Sequence, residues 1–432
     1  MQKIIINKLG PIDHAELDCT KWMVFIGAQS TGKSTVAKAI FFFRTVDETI
    51  LDFLLNKPHF QRDSDKENFT QAITRILQEM FIDIFSTYLF MSKDIFVQFY
   101  YSNETHIKIF LSPENVINIE FSENISQYLR KFDVGETNDK IPLGLFETDH
   151  LEDFNKFFQQ EEQELLKLFK NEYSDIYIPA GRSVITVLAE QLINYMLFTR
   201  KDSQKDMFDF CTRCYVQDVL EMRPQFNKLV DRHNLLGIIQ DNQALSTAEE
   251  LIKEILKARY VYSNGTDYLE LPNGHSIKMN LASSGQQESV WITNILFFFL
   301  LKSKKSAFII EEPESNLYPE TQKQLIDLIA LTANQGNNII ITTHSPYILG
   351  SINNLLYAGQ FSQEKTAAAS EIIDKDFWID GADLSAWHVK DGKVTNCIDD
   401  EIGLIENELI DEISRVINRQ YDALLDLEVG VE

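Results

Sequence analysis

Eight residues limit what this chain can fold into more than any other stretch: Gly27-Ala28-Gln29-Ser30-Thr31-Gly32-Lys33-Ser34. They fit the spacing GxxxxGK[ST], the P-loop. An apolar run, Met23 to Ile26, precedes them and reads as a buried strand, and Thr35 to Phe43 follows and reads as a helix. The expectation is an α/β fold in which that strand belongs to a sheet. Glycines let the backbone wrap close to phosphates, with N–H groups pointing inward as an anion nest. The helix N-terminus adds its dipole. In this setting Lys33 is expected to reach the β- and γ-phosphates and Ser34 to ligate Mg²⁺, with Thr35 opening the helix behind them.

The chain has 432 residues, room for two or three domains or one elaborated domain, and 44% hydrophobic residues, enough for a sizeable core. Its formal net charge is −25, which disfavours coating by nucleic acid and leaves only a local basic groove for such a partner. Four cysteines in so long a chain are no disulfide framework. Cys211-Thr-Arg-Cys214 is a lone CxxC with no convincing second ligand pair for zinc, and reads as two incidental thiols. Met1 to Pro11 lacks the basic and apolar regions of a secretory signal, and Val290 to Leu301 is too short to span a bilayer. A soluble cytoplasmic protein is expected.

In chain order, Lys3–Ile6 and His14–Leu17 read as strands around a Gly10-Pro11 turn, and the helix after Ser34 is expected to end near Arg44. Residues 45–170 read as a long insertion. Thr49–Tyr88 is helical in spacing (Ile73, Ile76, Leu77, Met80, Phe81). Three alternating runs, Ile95–Tyr100, His106–Phe110 and Ile117–Phe121, predict an antiparallel lobe. Glu152–Phe169 returns to a charged helix. Between Val184 and Ala258 the helical pattern is interrupted at Pro224 and Gly237, which argues against long coiled-coil arms. Asn264-Gly265 and Asn273-Gly274 predict two hairpin turns between Arg259 and Met279. Gln360–Ser370, polar and Ala-rich, reads as a loop, and Asp374–Asp383 as an acidic strand and turn. A small hairpin follows, Ala386–Val389 with Asp391-Gly392. A last helix carries Ile402, Ile405, Leu409, Ile413, Val416, Ile417 and Leu424 at helical spacing. The division expected is 1–44, 45–175, 176–257, 258–370 and 371–432.

A second constellation lies downstream. Ala307–Ile310 is an apolar run ending in Glu311-Glu312-Pro313. Successive side chains at a strand end point opposite ways, so Glu311 is expected to hold Mg²⁺ through water and Glu312 to orient or deprotonate an attacking water. Asn338–Thr342 ends in Thr343-His344-Ser345, which places an imidazole for the γ-phosphate. Ser283-Ser284-Gly285-Gln286 opens the apolar helix around Ile295–Leu301 and offers either an N-cap or another anion site.

This order of motifs resembles the ABC-type ATPase heads of the SMC, RecF and OLD-like group. It is most similar to the AAA-family ATPases of bacterial phage-defence systems, PARIS-type or a similar system. The resemblance covers the first 45 residues and roughly residues 258–395, and Tyr177–Ser183 also resembles a segment of the OLD-like branch. It implies a P-loop NTPase, an ABC-type head with an inserted helical and antiparallel-β region. ATP and Mg²⁺ would be held by Gly27–Thr35, Ser283–Gln286 and Glu311, with Lys33, Glu312 and His344 as the catalytic groups. Ser283 and Gly285 match the signature loop, although Ala282 and Ser284 depart from it. Glu311 stands where most relatives have Asp. Ser315-Asn316-Leu317 fits the loop that crosses the dimer interface. No Q-loop glutamine can be placed, and Arg182 is a candidate phosphate or interface contact. The family geometry implies two heads sandwiching ATP head to tail, as a homodimer or higher homo-oligomer. The roughly 60 residues after Asp374 are too few for the TOPRIM nuclease of OLD proteins. The expected role is therefore an antiphage sensor or scaffold controlling a separate effector, such as a nuclease. The alternative is a DNA-binding repair or recombination ATPase of the SMC/RecF type, which predicts a basic, salt-sensitive surface. A transporter's soluble subunit is the third reading, and the long insertion argues against it.

Overall fold

The structure, a computed structural model, describes residues 2–56, 67–86, 92–133, 151–183, 186, 208–406 and 418–425. An eleven-stranded sheet organises them. Its centre is built from runs the sequence makes wholly apolar: β3 (Trp22–Ile26), β7 (Ser174–Ile178) and β11 (Ser306–Glu311) are buried at every position. Together with β12 (Asn338–Thr343) and β13 (Leu384–Lys390) they lie parallel in the order β13-β3-β12-β11-β7. Continuous burial is what a parallel sheet covered on both faces demands.

Alternate residues of each strand feed two separate cores. Trp22, Val24 and Ile26 face one side with Phe308, Ile310, Ile339 and Ile341. That core is closed by α8 (Gln243–Leu256), α9 (Ser284–Lys302), α10 (Pro319–Asn334) and α11 (Pro346–Gly359). Met23 and Phe25 face the other side with Ile309 and Ile340, under α1 (Lys33–Arg44), α2 (Val46–Asn56) and α3 (Phe69–Phe85). The run of phenylalanines in α1, Phe41-Phe42-Phe43, is buried throughout, and Phe43 stacks on Phe99 with ring centroids 5.4 Å apart.

The other half of the sheet starts from the hairpin of β1 (Lys3–Leu9) and β2 (Ile12–Asp18), which turns at Gly10-Pro11. The three alternating runs form β4 (Phe96–Tyr100), β5 (His106–Leu111) and β6 (Ile117–Phe121), antiparallel as expected. They are continuous with β1 through β4 and so extend the main sheet. Two helices, α4 (Glu123–Arg130) and α5 (Leu151–Phe169), follow them. A separate three-stranded sheet, β8 (Arg259–Ser263), β9 (Thr266–Glu270) and β10 (Ser276–Lys278), turns at Asn264-Gly265. Both turn residues have positive φ, 50° and 82°, as a two-residue hairpin requires.

Several expectations are corrected. Pro224 does not interrupt its helix: α6 (Phe210–Leu235) runs through it, with Val219, Met222, Arg223 and Phe226 buried on either side. Packing of that face outweighs the one lost backbone donor. Gly237, at φ 71°, does end the pattern before a short α7 (Ile238–Asp241). Gln360–Ser370 is not a loop. It contains α12 (Gln363–Ser370), whose three alanines are good helix formers. Asp374–Asp383 forms no strand. Asp374 and Asp380 instead cap two 3₁₀ turns, Lys375–Phe377 and Gly381–Asp383. The late hairpin, β13 with β14 (Lys393–Asn396), is no appendage, because β13 lies beside β3 in the middle of the sheet. Ile402 and Ile405 do not begin a helix: Ile405 is buried and bridges to Ile398. Leu409, Ile413, Val416 and Ile417, like most of 184–207, lie outside the described residues, and 418–425 is an exposed helical turn region.

Candidate functional site

The registers bring the carboxyl ends of the parallel strands level. Ile26 pairs with Thr343 and with His388, and Thr342 pairs with Glu311. Ligands of open parallel sheets bind beyond these ends, and the chain places its chemically distinctive residues there.

Gly27–Gly32 leaves β3 and enters α1. Ser30 and Gly32 have positive φ, 62° and 107°, and Gly32 is the N-cap of α1. Gly27 has no room for a side chain: a Cβ there would lie 2.4 Å from the Val389 carbonyl oxygen of β13. The neighbouring hairpin strand thus walls the loop and holds its shape. Lys33 is only 4% exposed, and its ammonium donates to the carbonyls of Gly27 at 2.9 Å and Ala28 at 2.7 Å. Burial pulls its pKa below the usual lysine value, although Glu312, Glu314 and Glu311 pull the other way. The first turn of α1 carries no acidic residue, so the helix dipole faces the loop unopposed. Ala28, Gln29 and Ser30 are exposed, and Thr31 and Ser34 are half-buried.

Across β12, Glu311 is buried. One of its oxygens accepts from the Ala180 N–H at 3.2 Å, and the other has no hydrogen-bond partner among the described residues. Beneath it, the Tyr177 hydroxyl is pushed well above its ordinary pKa, first by burial and then by the Glu311 charge. Glu312 has φ 42°, an unusual backbone conformation for a side-chain-bearing residue. Its N–H donates to the Thr342 carbonyl at 2.8 Å, and its carboxylate is half-buried, 3.6 Å from His344 Nδ1. The two carboxylates therefore differ in setting: Glu311 is enclosed beside β7, while Glu312 opens toward the imidazole.

Glu314 is the residue sequence reasoning passed over. It is buried. One oxygen accepts from the Thr343 hydroxyl at 2.8 Å and the His344 N–H at 2.8 Å, and lies 3.3 Å from His344 Nδ1. It fixes both the backbone and the ring of the histidine. Its position two residues past Glu312, in Glu-Glu-Pro-Glu, was the available signal. Ser345 accepts from the N–H groups of Tyr347 and Ile348, capping α11 and setting where β12 stops.

Arg182 does not face a phosphate or an interface. It is 0% exposed, and its donors are used on carbonyls inside the protein, at Pro179, Glu311, Glu312 and Glu288. Packing of the segment after β7 beneath α9, invisible in local sequence, turned it inward.

Ser283 caps α9 in a reciprocal box: its hydroxyl accepts from the Gln286 N–H at 3.3 Å, and Gln286 returns an oxygen to the Ser283 N–H at 3.2 Å. Gln286 is further committed to the Leu256 carbonyl at 2.7 Å. Ser283 and Ser284 are exposed. Gly285 packs on the loop after Glu314, where a Cβ would come 2.9 Å from the Asn316 carbonyl oxygen. Among the described residues no hydrogen bond or ion pair joins this turn to the P-loop. One chain brings together Gly27–Thr35, Glu311, Glu312, Glu314 and His344 at the strand ends.

For a magnesium ion, the fit is a buried carboxylate, Glu311, with one oxygen that has no hydrogen-bond partner among the described residues. No group of three or more His, Cys, Asp or Glu among the described residues could hold a metal by protein ligands alone. That donor set suits an ion which keeps several waters and takes phosphate oxygens. Elsewhere, burial pushes the Cys214 thiol up to about 12 and the Cys211 thiol well above its ordinary value, which leaves both thiols unreactive. No helix among the described residues is long and apolar enough to cross a membrane.

A family model described as "AAA ATPase domain" matches residues 1–349. Among curated proteins nothing matches. Solved structures that align include the Smc head bound to the C-winged helix domain of ScpA, at 11% identity and TM-score 0.44 over 91% of this chain and 96% of that one. The SMC head domain from Thermotoga maritima aligns at 10% identity and TM-score 0.37, over 91% and 97% of the two chains. An Smc head domain with an extended coiled coil, bound to the C-terminal domain of ScpA derived from Pyrococcus furiosus, aligns at 12% identity and TM-score 0.40, over 96% and 100%.

Proposed function

The chain belongs to the AAA ATPase domain family and has the α/β fold of a P-loop NTPase, and from that premise we propose that it binds MgATP at the carboxyl ends of β3, β12 and β11 and hydrolyses it. The observation that carries the reading is the convergence of a complete P-loop with Glu311, Glu312 and a His344 locked by Glu314, from three adjacent strands.

The phosphates of ATP occupy the loop Gly27–Ser34, and Lys33 exchanges its bonds to the Gly27 and Ala28 carbonyls for phosphate oxygens. Ser34 and Glu311 would hold the magnesium ion, which would supply positive charge against the phosphates. Glu312 takes a proton from the attacking water, and His344 faces the γ-phosphate. Fixed donors and charges at these positions stabilise the transition state without reorganising. A second copy supplies its exposed Ser283–Gly285 turn to the same nucleotide, so closure of the homodimer follows ATP binding and opening follows hydrolysis. The exposure of Ser283 and Ser284, with no hydrogen bond among the described residues joining them to their own P-loop, supports the need for that second copy.

At the level of biology we propose a sensor or scaffold in an antiphage defence system, whose ATP-dependent dimer controls a separate effector protein. The support is the Glu311-Glu312-Pro313-Glu314 pattern of the OLD-like branch together with the −25 charge, which opposes a DNA-coating role. A tagged Glu312→Gln chain, expressed with its neighbouring genes and purified in MgATP, tests both levels. Hydrolysis is expected to fall about 100-fold or more, with nucleotide retained and a stoichiometric second protein in the eluate. Wild-type turnover in that variant removes Glu312 as the base. Nucleic acid without a protein partner replaces the sensor reading with a repair ATPase.

A further inference from the structure

Arg182 is fully buried, and its guanidinium is aimed mainly at backbone. Nη1 donates to the carbonyls of Pro179 and Glu311, each at 2.7 Å, and Nη2 to the carbonyl of Glu312 at 3.1 Å. Nε donates to the carbonyl of Glu288 at 3.2 Å and stands 3.4 Å from that residue's carboxylate. Glu288 is buried in α9, one turn past the Ser283-Ser284-Gly285 turn, and its other oxygen accepts from the Ser183 N–H at 3.2 Å. A second strut runs beside the first: the Thr186 hydroxyl donates to the Gln287 carbonyl at 3.0 Å and accepts from the Trp291 indole at 2.8 Å.

Two features of this arrangement exceed what packing alone requires. A planar fork holds four carbonyls in fixed directions at once, more than the three donors of a lysine's mobile ammonium can serve. One of those carbonyls belongs to Glu312, whose φ of 42° is costly for a non-glycine residue and persists only where its surroundings hold it. The Thr342 carbonyl holds the N–H side of that residue and Arg182 holds the C=O side.

We propose that Arg182 is a positioning residue that sets the Glu312 carboxylate for water attack and, through Glu288, ties it to the Ser283 turn of the same chain. A phosphate that seats on this turn loads α9 at its N-terminus. Displacement of α9 moves Glu288, Arg182 follows, and the backbone of Glu312 follows Arg182. Each head's base would thereby respond to the nucleotide bound on the partner's P-loop. The proposal rests on the reading of Glu312 as the base.

Two variants separate fork from charge. Arg182→Lys keeps a cation opposite Glu288 but loses the fork. R182Q/E288Q removes both charges together, so no unpaired charge stays buried. In each, MgATP affinity and KM are expected to stay within about threefold of wild type while kcat falls about 10- to 100-fold, the scale of a misplaced catalytic group. Ser283→Ala is expected to lower kcat in the wild-type background and to have almost no further effect in R182Q/E288Q, a non-additivity that independent sites do not produce. Wild-type kcat in both folded variants, a fall in affinity parallel to the fall in kcat, or additive effects with Ser283→Ala each overturn the proposal. A wild-type chain that binds MgATP without hydrolysing it overturns the ATPase reading itself, and the inference with it.

Discussion

At the amino ends of the parallel strands, Arg44, Asp175 and Asn171 close a buried ring on themselves; at the carboxyl ends, Glu311 and Glu314 each keep a buried oxygen that meets no donor among the described residues. The same helix serves both ends, since α1 begins at Lys33 and finishes at Arg44. Arg44 Nε pairs with Asp175, and its Nη2 donates to Asn171 at 3.2 Å. Asn171 in turn donates to the Arg44 carbonyl at 3.0 Å and to the second Asp175 oxygen at 2.9 Å. Lys33, by contrast, rests on carbonyls of its own loop. A closed network serves the fold. An open one is held ready for a charged ligand, and the surrounding protein supports its cost.

The largest effect should come from opening the closed end. Arg44→Met leaves Asp175 buried and unpaired, which costs about 3–5 kcal/mol of stability. Urea unfolding measures the loss, and titration with MgATP on the folded fraction should show unchanged affinity. A tenfold drop in affinity would mean that α1 transmits strain between its ends and that the two networks are not independent.

Lys33→Ala tests the open end. It removes the charge-assisted bonds to phosphate, worth about 2–3 kcal/mol together, or roughly 30- to 150-fold in MgATP affinity. Stability should change little, because the bonds lost in the nucleotide-free protein go to backbone carbonyls that water can satisfy. Calorimetric titration and a thermal melt on the same sample check both halves. A variant destabilised as strongly as Arg44→Met would erase the distinction between the ends.

How much of each end could be read from sequence follows from the same contrast. The P-loop is a contiguous octet held by backbone, and the strand before it was legible to within a residue, Met23–Ile26 expected and Trp22–Ile26 found, because a wholly apolar run next to glycines has few other uses. Glu311, Glu312 and His344 were legible as strand ends. Glu314 was not, because its role appears only when β12 lies beside β11 and brings Thr343 and His344 within reach. Arg182 was misread for the same reason: its partners are 106 to 130 positions away in sequence, and no local period encodes them. Nor does any local signal announce that Leu384–Lys390 slots against β3, since sheet order is settled by which edges and faces can be covered together. The Arg44 ring is likewise assembled from positions 127 and 131 residues apart.

The amino end has one imperfection, and it yields the smallest effect. Asp47, in the first turn of α2, is buried with one oxygen lacking a hydrogen-bond partner among the described residues. Burial, and then the charge of Asp175, pushes its pKa up to about 7. Arg44 pairs with Asp175, and Asp47 has no ion pair of its own among the described residues. A carboxyl whose folded pKa lies above its unfolded value binds its proton more tightly in the folded state. Its contribution to stability is therefore fully present below about pH 4, declines as pH rises, and is gone above about pH 7. Asp47→Asn keeps the shape without the charge and should abolish that slope. Its advantage over wild type should be small at pH 4, reach about 1–2 kcal/mol by pH 5, and keep growing until it levels off above about pH 7. Denaturation midpoints across pH 4 to 8 measure it. A constant difference at every pH would show that Asp47 is ionised throughout, and that the amino end is as well compensated as Arg44, Asp175 and Asn171 alone suggest.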